Sequence, residues 1–161
     1  MPIKVKINID WNKVKHEVIN QIDERVMFAF QNACDDTVNY SKTNHEYTQQ
    51  SGALNSSTGF QLYKDGVLIH SQFIQSQFGS DEDGAKAKGV EAGRNTAAQR
   101  ASEHGAHICA VIVAGMPYAI YVESKGFDVL TGAEKQFPSF LEKRMQESFK
   151  NENIPYQIIN E

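Results

Sequence analysis

Cysteine is scarce in this chain. Cys34 and Cys109 are the only two in 161 residues, far apart and in apolar surroundings. That fits buried, reduced thiols and leaves no disulfide framework to organise the fold. Long apolar runs are missing too: none approaches the ~20 residues needed to cross a bilayer. The N-terminal MPIKVKINID alternates charged and apolar residues, so it reads as a strand and not as a signal peptide. The expectation is a soluble protein made in a cytosol, with no membrane partner. Basic clusters are absent beyond the pair Lys143-Arg144, and the net charge is −4. Nothing in that balance favours a specific nucleic acid.

Motifs for chemistry are equally thin. His104-x-x-His107 is the one close histidine pair, Gly105 would interrupt a helix between them, and a zinc site needs three or four ligands. Remote His16, His45 and His70, or Glu103 and Glu123, would complete it only by chance. Gly-x-Ser-x-Gly is absent, and Gly84, Gly89 and Gly93 lack the Lys-Ser/Thr of a phosphate-binding loop. Asp35-Asp36 falls on a helix that needs solvated residues anyway. The reading is of a non-enzyme with no catalytic residues, no metal and no cofactor.

What is present is a strong helix signal. From Trp11 to about Lys42 there is no Gly or Pro, and apolar residues recur at Trp11, Val14, Val18, Ile22, Val26, Ala29, Phe30, Ala33 and Val38. This predicts one amphipathic helix of roughly 30 residues, about 45 Å long, capped by Asp10 or Asn12. A core of this chain length has a radius of only about 13–16 Å. Part of the helix must therefore lean on a neighbour or project.

Before that helix, Ile3, Val5, Ile7 and Ile9 alternate as a half-buried strand. After it, 44–60 reads as a turn region leading into a strand, with Gly52 allowing a tight turn and Leu54 anchoring it. Lys64-Asp65-Gly66 between apolar runs predicts a hairpin with strands at about 57–63 and 67–73. Residues 76–93 are rich in Gly, Ser, Asp and Ala and read as a long mobile loop, and 92–105 as a helix. His107 to Ala114 is the densest apolar run, a buried strand that Gly115 stops. A short helix follows with Pro117 in its first position and Gly126 at a left-handed C-cap. Thr131-x-x-Glu134 has capping-box spacing for a last helix, which Pro138 either kinks or restarts, with Phe137, Phe140, Leu141, Met145 and Phe149 on its apolar face. Tyr156 to Ile159 closes as a short strand. The fold class is α+β in one domain over 1–161: a mixed or antiparallel sheet of four to six strands packed against a long N-terminal helix and a C-terminal helix.

The stretch Val113-Ala114-Gly115-Met116-Pro117-Tyr118-Ala119-x-Tyr121-Val122-Glu123 resembles the neck, or tail-completion, family of long-tailed bacteriophages. So does the order of the elements around it. Ser51-Gly52-Ala53-Leu54-Asn55-Ser56-Ser57 stands where that family has Thr-Gly-x-Leu-Arg-x-Ser, keeping Gly and Leu but replacing Arg with Asn55. The resemblance implies a non-enzymatic virion or prophage structural protein of the head–tail connection. It would form a ring homo-oligomer between the head-connector and tail-terminator proteins. Under it Tyr118, Tyr121, Glu123 and Asp128 are interface candidates, with Gly52, Leu54, Gly115, Pro117 and Gly126 shaping the turns. The residues themselves leave Glu123 open between a bond to a nearby backbone donor and a contact to a basic side chain of the next subunit. Tyr118 and Tyr121 are open between core tyrosines and interface anchors. Two other classes stay open: a monomeric or dimeric protein-binding module acting as adaptor or inhibitor, and an enzyme with an unrecognised site, which would need a deep pocket with converging polar groups.

Overall fold

The computed structural model describes residues 9–150; the strands read at 3–9 and 156–159 fall outside them, Ile9 excepted. Helix α1 runs unbroken over Trp11–Thr43, and the Asp10 carboxylate caps it by accepting from the Lys13 amide at 3.1 Å. A short helix α2 (Ala53–Ser57) leads into β1 (Thr58–Lys64), which turns back as β2 (Val67–Gln72). Both turn residues, Asp65 and Gly66, have positive φ, as a two-residue hairpin turn matching the strand twist requires. Helix α3 (Ala85–Ser102) precedes β3 (Ile108–Ala114), α4 (Ala119–Ser124) and α5 (Thr131–Ser148).

The molecule is α+β, and its sheet among the described residues has three strands, all antiparallel, in the order β2-β1-β3. Side chains alternate across it. Phe60, Ala110 and Ile112 face α1 at Cys34 and Val38, while Val111 and Val113 face Phe73 and Ala97 on the α3 side. The sheet is thus held between α1 and α3.

The loop read over 76–93 needs correction. A single 3-10 turn at Glu82–Gly84 is followed by α3, which starts seven residues before the expected 92. The glycines that suggested a loop are what let the helix dock. Gly89, Gly93 and Ala97 form a buried stripe at four-residue intervals. A Cβ on Gly89 would stand 2.3 Å from the Ala53 carbonyl oxygen, and one on Gly93 2.5 Å from that of Ser57. Close backbone approach outweighs the roughly 1 kcal/mol that each glycine costs a helix. Residues 53–57, read as part of a turn region leading into the strand, form a helical turn.

The C-terminal helix also departs from expectation. It lies against α1, antiparallel to it, and only Phe137 reaches the sheet-side cluster of Cys34, Val38 and Phe60. Ser41 donates to the Val129 carbonyl at 2.5 Å at the upper end. Phe137 meets Phe30 and Phe140 meets Tyr40 in the middle, and Arg144 grips Asp36 with two bonds of 2.7 and 2.8 Å. At the lower end Ser148 and Arg25 exchange bonds through each other's carbonyls. Ala29, Ala33, Leu141, Met145 and Phe149 are buried between the two helices. Pro138 sits inside a continuous α5, with no N–H to offer the Glu134 carbonyl.

Candidate functional site

The segment from Gly115 to Asp128 holds the residues singled out from the sequence, and the structure divides them into two kinds. Gly115 lies directly on Gly93 of α3, where a Cβ would come 2.5 Å from the Gly93 Cα. Met116 to Tyr118 makes a turn, closed by the Ala119 amide on the Met116 carbonyl at 2.9 Å. Pro117 therefore belongs to that turn, two residues before α4, and not to the first helical position. Gly126 follows α4 with φ +90°, its amide bonded to the Glu123 carbonyl at 2.9 Å.

Glu123 and Asp128 turn inward. The Glu123 Oε1 accepts from the Leu130 amide at 3.2 Å, the Thr131 amide at 2.8 Å and the Thr131 hydroxyl at 2.5 Å. Asp128 Oδ1 accepts from the Gly132 amide at 2.9 Å. Together they satisfy the orphan donors at the start of α5, so the expected capping box does not form: Thr131 is the first helical residue and Leu130 the N-cap. Burial alone would raise the Glu123 carboxyl. The Thr131 hydroxyl and the amides of Thr131, Leu130 and Val129 overcome it and hold the group below its ordinary value.

Tyr118 and Tyr121 turn outward. They stand 40% and 61% exposed, and Ile120 of α4 is 77% exposed. The Lys125 ammonium lies 5.1 Å over the Tyr121 ring. The two tyrosines and Val122 form one wall of a groove of about 380 Å³, whose other wall is Tyr47 to Asn55. The second wall includes the Ser51-Gly52-Ala53-Leu54-Asn55 stretch, so the two segments that carried the family resemblance meet across one groove. Gly52 has φ +77° and Leu54 is buried with Ala119 and Val129, which fixes that wall to α4. Burial raises the Tyr118 phenol, partly offset by a hydrogen bond with Ser51, and pushes Tyr47 up to about 12.

Sequence reasoning missed Ile120 and Tyr47. Only the folded chain shows Ile120 exposed, and Tyr47 lies in a stretch whose composition reads as plain loop. It also missed Lys42, whose amine burial pulls down to about 8 and which donates to the Ile74 carbonyl at 3.3 Å. Of the histidine pair, His107 is engaged by carboxylates. Both ring nitrogens of His107 face carboxylates, Asp65 at 2.6 Å and Asp23 at 2.9 Å, and Asp23 also holds Lys64 at 2.8 Å. Bonds to Asp65 and then Asp23 raise the His107 pKa, which favours the charged ring that can donate to both carboxylates. Among the described residues no three His, Cys, Asp or Glu are grouped to hold a metal ion. Burial pushes the Cys34 thiol up to about 12 and raises Cys109, the direction that disfavours the thiolate. No described helix is long and apolar enough to cross a membrane. Comparison of this chain with protein-family models, with curated proteins and with solved structures finds no match in any of the three.

Proposed function

We propose that this chain is a structural protein of the head–tail connection of a long-tailed phage or prophage, acting through ring assembly and protein–protein contacts in the virion. The observation that carries the reading is the α4 surface. The segment most similar to the tail-completion family presents Tyr118, Ile120 and Tyr121 to solvent on a short helix whose far end is clamped to α5 through Glu123. Exposed aromatics on a rigid support are what a subunit interface uses as anchors. In a ring, Tyr118 and Tyr121 meet the adjacent subunit, and connector and terminator proteins bind the ring's two faces. The inward bonds of Glu123 and Asp128 make them supports of that surface. The sheet of four to six strands belongs to the same proposal: the alternating 3–9 stretch would supply a further strand.

The groove between α4 and residues 47–55 favours a second reading, a monomeric or dimeric module that takes a peptide of its partner beside Tyr118. Light scattering after size exclusion, over a concentration series, separates the two. A ring of about six or more subunits that Tyr121→Ser and Ile120→Ser dissolve supports the neck reading. A monomer at every concentration, alone and with connector protein added, overturns it.

A further inference from the structure

The lower part of α1 carries an apolar stripe that nothing else among the described residues covers. Trp11, Val14 and Val18 fall on the same helical face as Ile22, Val26, Ala29 and Ala33, which α5 covers higher up. Ala29 and Ala33 are fully buried there, whereas Trp11 is 70% exposed. The stripe is therefore the α1–α5 interface continued past the end of α5.

Where α5 ends decides what can lie on it. Ser148 is bonded to Arg25, and α5 runs antiparallel to α1, so the axis of α5 at its C-terminal end points toward Ile22, Val18 and Trp11. From Arg25 to Trp11 is about 21 Å at 1.5 Å per residue. The remaining residues 151–161, Asn-Glu-Asn-Ile-Pro-Tyr-Gln-Ile-Ile-Asn-Glu, can span about 36 Å when extended. They carry Ile154, Tyr156, Ile158 and Ile159, apolar like the stripe, and Glu152 and Glu161, opposite in charge to Lys15, which flanks the stripe on α1. A segment tethered at that point also has an effective concentration of order millimolar, ahead of any free partner.

We infer that residues 151–161 dock on the Trp11-Val14-Val18 face of α1 and extend the cover that α5 begins. The inference does not rest on the neck reading, and its failure leaves Tyr118 and Tyr121 untouched. Trp11 is the chain's only tryptophan, so it reports on the stripe directly. The experiment measures Trp11 emission and acrylamide quenching in the full-length protein and in the full-length Ile158→Asp/Ile159→Asp variant, with Ile3→Asp/Ile7→Asp as control. Circular dichroism checks that the folded body is retained. The expected result is a blue-shifted, protected Trp11 in the native protein, unchanged on dilution. In the 158/159 variant emission shifts to the red and quenching rises toward that of the urea-unfolded chain, while the control stays protected. Hydrogen exchange of the native protein gives a second reading without substitution: amides of 151–161 exchange more slowly than in the free peptide. A Trp11 already as quenchable as in the unfolded chain overturns the inference. So does protection that disappears on dilution together with an oligomer, which assigns the face to a second copy, or protection lost only in the 3/7 control.

Discussion

The two halves of α1 follow one apolar rhythm and meet opposite fates. From Ile22 upward the stripe is closed over by α5 on one side and by β1 and β3 on the other, and Ala29, Ala33, Cys34 and Val38 are buried. From Trp11 to Gln21 every residue is exposed. The boundary falls where Asp23 binds Lys64 and His107, beside the hairpin turn and the start of β3. An amphipathic pattern states that a helix needs a partner along its whole length. It does not say where this chain's own elements run out.

The contrast predicts where substitutions hurt. Removing cover from the upper half has the largest effect. Leu141→Ala opens a cavity in the α1–α5 interface and should cost about 2–5 kcal/mol in urea unfolding. A value near that of a surface change would mean α5 is not what closes the upper stripe. Next is the cap that holds the start of α5 in place. Glu123→Ala leaves the Leu130 and Thr131 amides without their acceptor and should cost about 1 kcal/mol. Because the folded Glu123 pKa is depressed from 4.5, its contribution is present above that value and lost as pH falls through the lowered one. The gap between wild type and Glu123→Ala should therefore narrow in acid; a gap that widens there would contradict the bonding described.

The boundary itself gives a smaller, pH-marked effect. His107 has a folded pKa raised above 6.5, so its stabilisation is complete below that pH and fades as pH rises through the raised value. Asp23 is depressed from 3.8, first through Lys64, and its share is lost only in strong acid. Glu24 of α1 adds to the negative field around Lys64. His107→Gln should lower the melting temperature at about pH 5.5 and be indistinguishable from wild type well above the raised pKa. An equal deficit at both pH values would mean that packing, not charge, joins α1 to the hairpin.

The same contrast explains what was legible beforehand. Local rules found α1, the Asp65-Gly66 hairpin, β3 and the left-handed Gly126, because each depends on neighbours within a few residues. Apart from Pro117, which sits two residues ahead of α4, the failures were matters of distance in sequence. Gly89 and Gly93 read as loop because the backbones they accommodate, at Ala53 and Ser57, lie over thirty residues earlier. The cap of α5 was assigned to Thr131 and Glu134, while the acceptors that serve it, Glu123 and Asp128, sit outside the helix. In the candidate site, Tyr118 and Tyr121 were found by their setting, but the wall from Tyr47 to Asn55 that faces them was not, since no periodicity links segments seventy residues apart. The projection of α1 was legible from length alone. Its unequal cover was not, because α5 was expected on the sheet.

The smallest effect is the most discriminating. Val18→Ala removes two methyl groups from the lower stripe. With no cover there, the change should stay within about 0.5 kcal/mol, as at other surface sites. With residues 151–161 seated on it, the loss should rise to about 1 kcal/mol, still well below Leu141→Ala because the cover is one short segment and not a helix with its own core. The two cases separate in a double-mutant cycle. If the tail covers Val18, Val18→Ala in the Ile158→Asp/Ile159→Asp background should cost almost nothing, and the coupling should equal most of the single-site loss. Strict additivity would show that the lower stripe and the tail do not meet, and the two halves of α1 would then differ because the lower half waits for another molecule.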